Sequence, residues 1–118
     1  MALFKPADSV YIRVRDMESA VAWYRDKFGF REVPAESDDA DGSRWLALGK
    51  DEPPIVLGPP DDNVYPTPIF WANNVVKCRD KLSSLGINAG PVQQDRQGTH
   101  FFEFRDIEGN VIEVCEEP

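Results

Sequence analysis

Apolar and polar positions alternate through Val10-Tyr11-Ile12-Arg13-Val14, a β-branched and aromatic run that predicts a strand. The period then changes. Met17, Ala20, Val21, Tyr24 and Phe28 recur at helical spacing. Asp16 stands ahead of them as an N-cap, and Gly29 behind them, where a helix end favours a left-handed residue. Phe30 to Val33 begins another strand, followed by an acidic loop from Ala35 to Gly42. Arg44 to Leu48 and Ile55 to Leu57 read as two more strands, with Pro53 and Pro54 as breakers between them.

The same order then returns. Ile69-Phe70-Trp71 predicts a strand, Asn73 or Asn74 a cap, and Val75, Cys78, Leu82 and Leu85 an apolar helical stripe closed by Gly86. Asp16 and Asn73, like Gly29 and Gly86, are 57 residues apart. Three strands follow, at Ile87 to Gln93, Thr99 to Arg105 and Val111 to Cys115. The chain therefore reads as a duplicated strand–helix–strand–strand–strand unit, with residues 1–58 as the first module, 59–66 as a proline-rich linker and 67–118 as the second. One unit cannot bury both faces of its sheet. The expected fold is α+β: two βαβββ modules in one compact domain, forming a curled mixed sheet, a cup or barrel, with the helices outside.

The closing hairpin bears on chemistry. Phe102 to Arg105 and Val111 to Val114 are alternating strands around an acidic, glycine-containing turn, Asp106 to Asn110. Turn and apolar pattern together fix register. That pattern places Glu113 inside an otherwise apolar strand, where a charge is costly unless it meets water, a cation or a cavity. With a five-residue turn, Glu103 lies opposite Glu113, and Phe101 and Cys115 share their face. His100, the only histidine, then falls on the opposite face with Phe102 and Phe104, as a partly buried packing residue rather than a ligand.

Composition narrows the function classes. The 118 residues are 42% hydrophobic and carry a net charge of −8. An acidic chain suits neither nucleic acid nor an anionic membrane surface, and no run approaches the roughly 18 apolar residues of a membrane span. The N-terminus lacks the apolar core of a signal peptide. Two cysteines, Cys78 and Cys115, are too few for a disulfide framework, so the expected location is cytoplasmic. Cys78 belongs to the helical stripe; no histidine is placed to activate Cys115 as a nucleophile.

Three features carry a resemblance: Arg15 to Tyr24 with Phe28-Gly29-Phe30, the closing Asp106-Ile107-Glu108-Gly109-Asn110 with Ile112-Glu113-Val114, and the internal repeat. Together they are similar to the vicinal oxygen chelate superfamily, which holds glyoxalase I, extradiol dioxygenases, fosfomycin-resistance enzymes and bleomycin-resistance proteins. Ile107 departs from the usual proline. The resemblance implies paired βαβββ modules, a cup-shaped small-molecule site and homodimerisation. Family enzymes hold a divalent metal with side chains from the first and last strands of each module. Glu113 matches the last-strand ligand of the second module. The other positions fall on Ser9, Thr67 (with Pro66 beside it) and Val56. Two hydroxyls and a valine are poor company for a transition metal, which favours histidine and carboxylate donors. The expectation is no cofactor, with a divalent metal as the alternative.

Alternation groups Ser9, Tyr11 and Arg13 on the first strand, Thr67, Ile69 and Trp71 on the second module's first strand, and Phe101, Glu103 and Cys115 with Glu113; with Val56, the position the resemblance implies, and Trp45 as a stacking surface, these are the cup candidates. Arg13 matches a position that contacts the substrate's acidic group in some glyoxalase relatives; equally, it could form a structural ion pair with Glu113 or Glu103. Trp45, Tyr65, Phe70 and Trp71 could stack on a planar ligand or belong to the core. Three readings follow: a metal-free cup that binds a small aromatic or cationic molecule, a metal-dependent lyase, isomerase or dioxygenase (or a metal-free enzyme using Glu103 and Glu113 as acid and base), and a small structural or regulatory partner protein with a vestigial cup.

Overall fold

In a computed structural model that describes residues 4–8, 10–35, 42–49 and 51–117, a two-residue strand, β1 (Lys5–Pro6), precedes two units of the same design. The first unit is β2 (Val10–Arg13), α1 (Met17–Phe28), β3 (Arg31–Val33), β4 (Arg44–Ala47) and β5 (Ile55–Gly58). The second is β6 (Ile69–Ala72), α2 (Val75–Ser84), β7 (Gln93–Gln94), β8 (His100–Arg105) and β9 (Val111–Glu116). The strand orders are β2-β5-β4-β3 and β1-β6-β9-β8-β7. In each unit the first strand runs parallel to the last and the remaining pairs are antiparallel. The α+β fold of paired modules is thus present. Its strands form two mixed sheets rather than one continuous sheet, and they do not close into a barrel.

Local chemistry sets both helices. The Asp16 carboxylate accepts from the Ser19 amide at 3.1 Å, satisfying a donor that has no partner within the helix. Gly29 takes φ of 82°, and its N–H bonds the Arg25 carbonyl. In α2 the cap is Asn74, whose side-chain oxygen accepts from the Lys77 amide at 3.0 Å. The buried faces are Ala20, Val21 and Tyr24 on α1 and Val75, Cys78 and Leu82 on α2. They pack with one face of each sheet: Ile12, Leu46, Ile55 and Leu57 in the first, Phe70, Phe102, Phe104, Ile112 and Val114 in the second, in a single core. Each such side chain contributes roughly 1.5–3 kcal/mol when removed from water.

Two stretches differ from the sequence expectation. No strand was foreseen at Lys5–Pro6, where two residues including a proline leave no periodicity to read. They pair antiparallel with Phe70 and Trp71, and Phe4 beside them seats its ring 4.7 Å from Phe70 and 4.9 Å from Phe28. Conversely, Ile87 to Gln93 is not a strand, and the ladder with β8 is regular only at Gln93–Gln94. The segment still exchanges bonds with β8, Gly90 N–H to Glu103 O at 2.8 Å and Arg105 N–H to Asn88 O at 3.1 Å. Pro91, lacking an amide hydrogen, interrupts it.

The turn after β8 fastens one unit to the other. Asp106 is buried, and its carboxylate accepts from the Glu108 and Asn110 amides, the Asn110 side chain and the Tyr24 hydroxyl, the last at 2.7 Å. Burial first, and then the Asp106 carboxylate, push the Tyr24 phenol well above its ordinary range, so it stays a neutral donor. Glu108 accepts from the Arg15 and Asp16 amides at 2.6 and 2.8 Å, just before α1. Asn110 donates to the Arg13 carbonyl at 3.0 Å. Tyr24→Phe is expected to lower unfolding free energy in urea by about 2 kcal/mol, because it removes a hydrogen bond to a buried charge. Asp106→Ala is expected to cost more, since it leaves all four donors unpaired.

Candidate functional site

The sheet registers define which residues of the two units are equivalent. Tyr11 lies opposite Val56 on β5 as Ile69 lies opposite Glu113 on β9, and Trp45 pairs with Val56 as Glu103 pairs with Glu113. Arg13 lies beside Gly58 as Trp71 lies beside Cys115. The face away from the helices is therefore one pattern written twice. In the first unit it reads Tyr11, Arg13, Trp45, Val56 and Gly58. In the second it reads Ile69, Trp71, Glu103, Glu113 and Cys115, with Phe101 opposite Cys115.

These residues meet different surroundings. Trp45 and Val56 are buried, and the Trp45 indole N–H has no hydrogen-bond partner among the described residues. Ile69, Trp71, Phe101, Glu113 and Cys115 are half-buried, whereas Glu103 and Thr67 are exposed. Glu103 does lie directly opposite Glu113. The Cys115 thiol donates to Glu113 at 3.4 Å. Burial, reinforced by that hydrogen bond and charge, pushes the thiol up to about 12. Burial likewise pushes Cys78 up to about 12, and both cysteines are free. Ser9 lies outside the described residues.

A cleft of about 260 Å³ opens where β2, the segment before β6 and the hairpin turn converge, lined by Tyr11, Arg13, Tyr65, Thr67, Asn110 and Val111 among others. Arg13 is its central group, with a side chain only 19% exposed. Its guanidinium lies 4.2 Å from the Tyr65 ring centre and 5.2 Å from that of Tyr11, within the range of cation–π attraction. The ion pair weighed for Arg13 with Glu113 or Glu103 is not the one formed. Arg13 pairs with Asp61 at 3.2 Å and donates to the Tyr65 hydroxyl. Tyr65 in turn donates to Asp61 at 2.8 Å. That bond first, with the Asn63 amide and Arg13, holds the Asp61 carboxyl below its usual range.

Other residues settle elsewhere. Phe70 is fully buried on the helix side of β6 and offers no stacking surface to a ligand. His100 was expected to be partly buried with Phe102 and Phe104; at the first position of β8 it is instead exposed, with Nδ1 3.6 Å from a Glu116 carboxylate oxygen. Asp61 and its contact with Arg13 were missed. A lone aspartate in a proline-bounded stretch has no periodicity, and its contact depends on where a loop crosses a sheet.

The chain belongs to the Glyoxalase/Bleomycin resistance protein/Dioxygenase superfamily, whose family model matches residues 7–114. Its fold is similar to that of a member of this superfamily from Sphaerobacter thermophilus, with a TM-score of 0.74 and 21% identity over 93% of this chain and 95% of that one. It is also similar to lactoylglutathione lyase from Agrobacterium tumefaciens (TM-score 0.67, 21% identity, 92% and 91% covered). A third likeness is the fosfomycin resistance protein FosX from Listeria monocytogenes (TM-score 0.65, 15% identity, 94% and 92% covered). No curated protein matches the chain.

The superfamily often binds divalent metals, and the donor set here does not fit one. The register makes Val56 the first unit's equivalent of Glu113, so the position that would oppose it carries no lone pair. Thr67 supplies a neutral, exposed hydroxyl. Among the described residues, no three His, Cys, Asp or Glu side chains gather where they could hold a metal. A catalytic transition metal needs several such donors.

The Glu113–Cys115 contact makes a testable difference to thiol chemistry. Because the carboxylate stabilises the neutral thiol, Glu113→Gln should lower the Cys115 pKa and speed its alkylation by iodoacetamide at pH 8 several-fold. Cys78 reactivity should not change. Peptide mass spectrometry of timed quenches reads both rates.

Proposed function

We propose that this chain binds a small aromatic molecule in the cup beside Arg13 and does so without a metal. The observation that carries this reading is the cleft itself. A largely desolvated guanidinium stands between two tyrosine rings, in a cavity of about 260 Å³. Such a concave site, with aromatic walls and one fixed polar group, is the usual form of a small-molecule pocket. The departures at Val56 and Thr67 count against the metal-dependent lyase, isomerase and dioxygenase chemistries of the superfamily. An acid–base role for Glu103 and Glu113 has the support that the two carboxylates lie opposite each other on adjacent strands. It is the second reading. The Glu113 carboxylate accepts from the Cys115 thiol, so one of its oxygens is already engaged.

The same reading has the chain acting as a homodimer in a reducing, cytoplasmic setting. Ile69, Trp71 and Phe101 place apolar surface on the half-open face of the second sheet, where a second copy would cover it. Two free cysteines suit that compartment. No helix among the described residues is long and apolar enough to cross a membrane.

Thermal shift against a panel of small aromatic compounds, covering cationic, neutral and anionic forms, tests the binding reading. A ligand at 100 times its Kd should stabilise the fold by about 2.7 kcal/mol. Arg13→Gln should abolish the shift while leaving the ligand-free melting point within a few degrees. A panel with no saturable binder would sink the reading. Elemental analysis after exposure to Mn, Fe, Co, Ni and Zn should find substoichiometric metal; one equivalent per chain, lost in Glu113→Ala, would restore the metal-dependent reading.

A further inference from the structure

We propose that the segment between β5 and β6 is a strap that closes the cup by giving Arg13 an internal carboxylate, Asp61, and that the ligand is a small aromatic acid whose own carboxylate displaces it. This rests on the binding reading above and goes further, in naming the ligand's charge and the device that guards the site.

Arg13 runs over the backbone of the neighbouring strand. It lies beside Gly58 in the parallel β2–β5 register, and a Cβ at Gly58 would sit 2.0 Å from Arg13 Nη1. The guanidinium thus lies against the bare backbone of Gly58. The Tyr11 and Tyr65 rings flank it. This is a cation set against aromatic surface, one ring from the sheet and one from the strap.

Its present partner fits it incompletely. Asp61 engages Nη2 at 3.2 Å, and the Tyr65 hydroxyl takes a second bond from the same nitrogen. The Nε of Arg13 is buried and has no hydrogen-bond partner among the described residues. An unpaired buried donor on a charged group is costly. A carboxylate presented edge-on could accept from Nε and Nη2 together, the geometry in which arginine binds carboxylates best. Asp61 is tethered to a loop and contacts one edge nitrogen only. A free carboxylate has no such tether.

The strap is built to leave. Pro59, Pro60, Pro66 and Pro68 remove amide donors along it, so it cannot join a sheet edge as a regular strand. The hydrogen bonds of Asp61, Asn63 and Tyr65 run to one another and to Arg13. Pro60 to Val64 are exposed, Val64 almost completely at 96%. The middle of the strap is thus secured at the group a ligand would claim and by the Tyr65 ring against Tyr11, while its far end is held to β9 by the Glu113 amide on the Pro68 carbonyl at 2.9 Å. When it lifts, Tyr65 can re-seat its ring against an aromatic ligand, and the apolar part of that ligand finds Tyr11 and Val111 along the cleft.

The test uses the full chain with Asp61→Asn and Tyr65→Phe, which remove the internal carboxylate's charge and its brace without touching the core. Benzoate, 4-hydroxybenzoate and 2-naphthoate are the probes, with the matching carboxamides as neutral controls, titrated by calorimetry. Asp61→Asn should tighten the carboxylates by roughly tenfold, because the competent form no longer competes with a self-bound one, and should leave the carboxamides unchanged. Arg13→Gln should lose carboxylate binding altogether. Hydrogen exchange without ligand reads the strap independently: amides of residues 61–65 should exchange several-fold faster in Asp61→Asn and in Arg13→Gln. Unchanged exchange in both variants overturns the strap whatever the ligand is. Faster exchange with no gain in carboxylate affinity overturns the ligand assignment. Binding of cationic or neutral aromatics that is indifferent to Asp61→Asn overturns the inference while leaving the binding reading intact.

Discussion

The buried carboxylate of Asp106 is the interaction on which the arrangement of the two units depends. A buried charge persists only when its lone pairs are filled, and the four donors around Asp106 come from both halves of the chain. Three belong to the turn and fix its shape. One, the Tyr24 hydroxyl, comes from the core face of α1. With the turn so shaped, Glu108 is delivered to the amides that precede α1 and Asn110 to the carbonyl of Arg13. The last hairpin of the second unit thereby fixes the first strand and helix of the first unit. Arg13 and the cleft lie beside this joint, so what holds the fold together also places the site.

The symmetry of the two units makes their differences informative. Equivalent positions on the open faces carry tyrosine and isoleucine, arginine and tryptophan, valine and glutamate, tryptophan and glutamate, glycine and cysteine. No pair matches in chemistry. The first unit concentrates a cation and aromatic rings. The second concentrates carboxylates beside apolar groups. A metal centre built on the pseudo-symmetry needs donors from both units at corresponding points, and the change to valine at residue 56 removes one of them. The asymmetry instead creates two separate environments: a cationic cleft at the joint and an acidic, half-open face on the second sheet.

Much of this was legible in the sequence because it follows from short-range rules. The helices at Met17–Phe28 and Val75–Ser84 were readable from apolar spacing bounded by Asp16, Gly29, Asn74 and Gly86. The turn length fixed the register of β8 on β9, which placed Glu103 opposite Glu113. The misses have one cause. Lys5–Pro6, the interrupted stretch from Ile87 to Val92 and the Asp61 contact are all decided by long-range packing of segments too short or too proline-rich to carry a period. Alternation placed Arg13 on one face with Tyr11, but it could not say which acid would reach it. The two glutamates on the open face of the second sheet were the natural choices, and an aspartate from a loop forms the pair.

That outcome has a physical basis in the sheet geometry. Arg13 is on β2 of one sheet and Glu113 on β9 of the other, and among the described residues no ladder joins the two sheets. A guanidinium so placed has to find an anion from a connection rather than from a strand. The connection from β5 starts at Gly58, the residue beside Arg13, so a carboxylate three residues on is within reach by chain length alone. A loop carboxylate can approach and withdraw with small changes in backbone angles, whereas a strand carboxylate is fixed by the pleat. The same connectivity that left Arg13 without a sheet partner therefore gives it an exchangeable one.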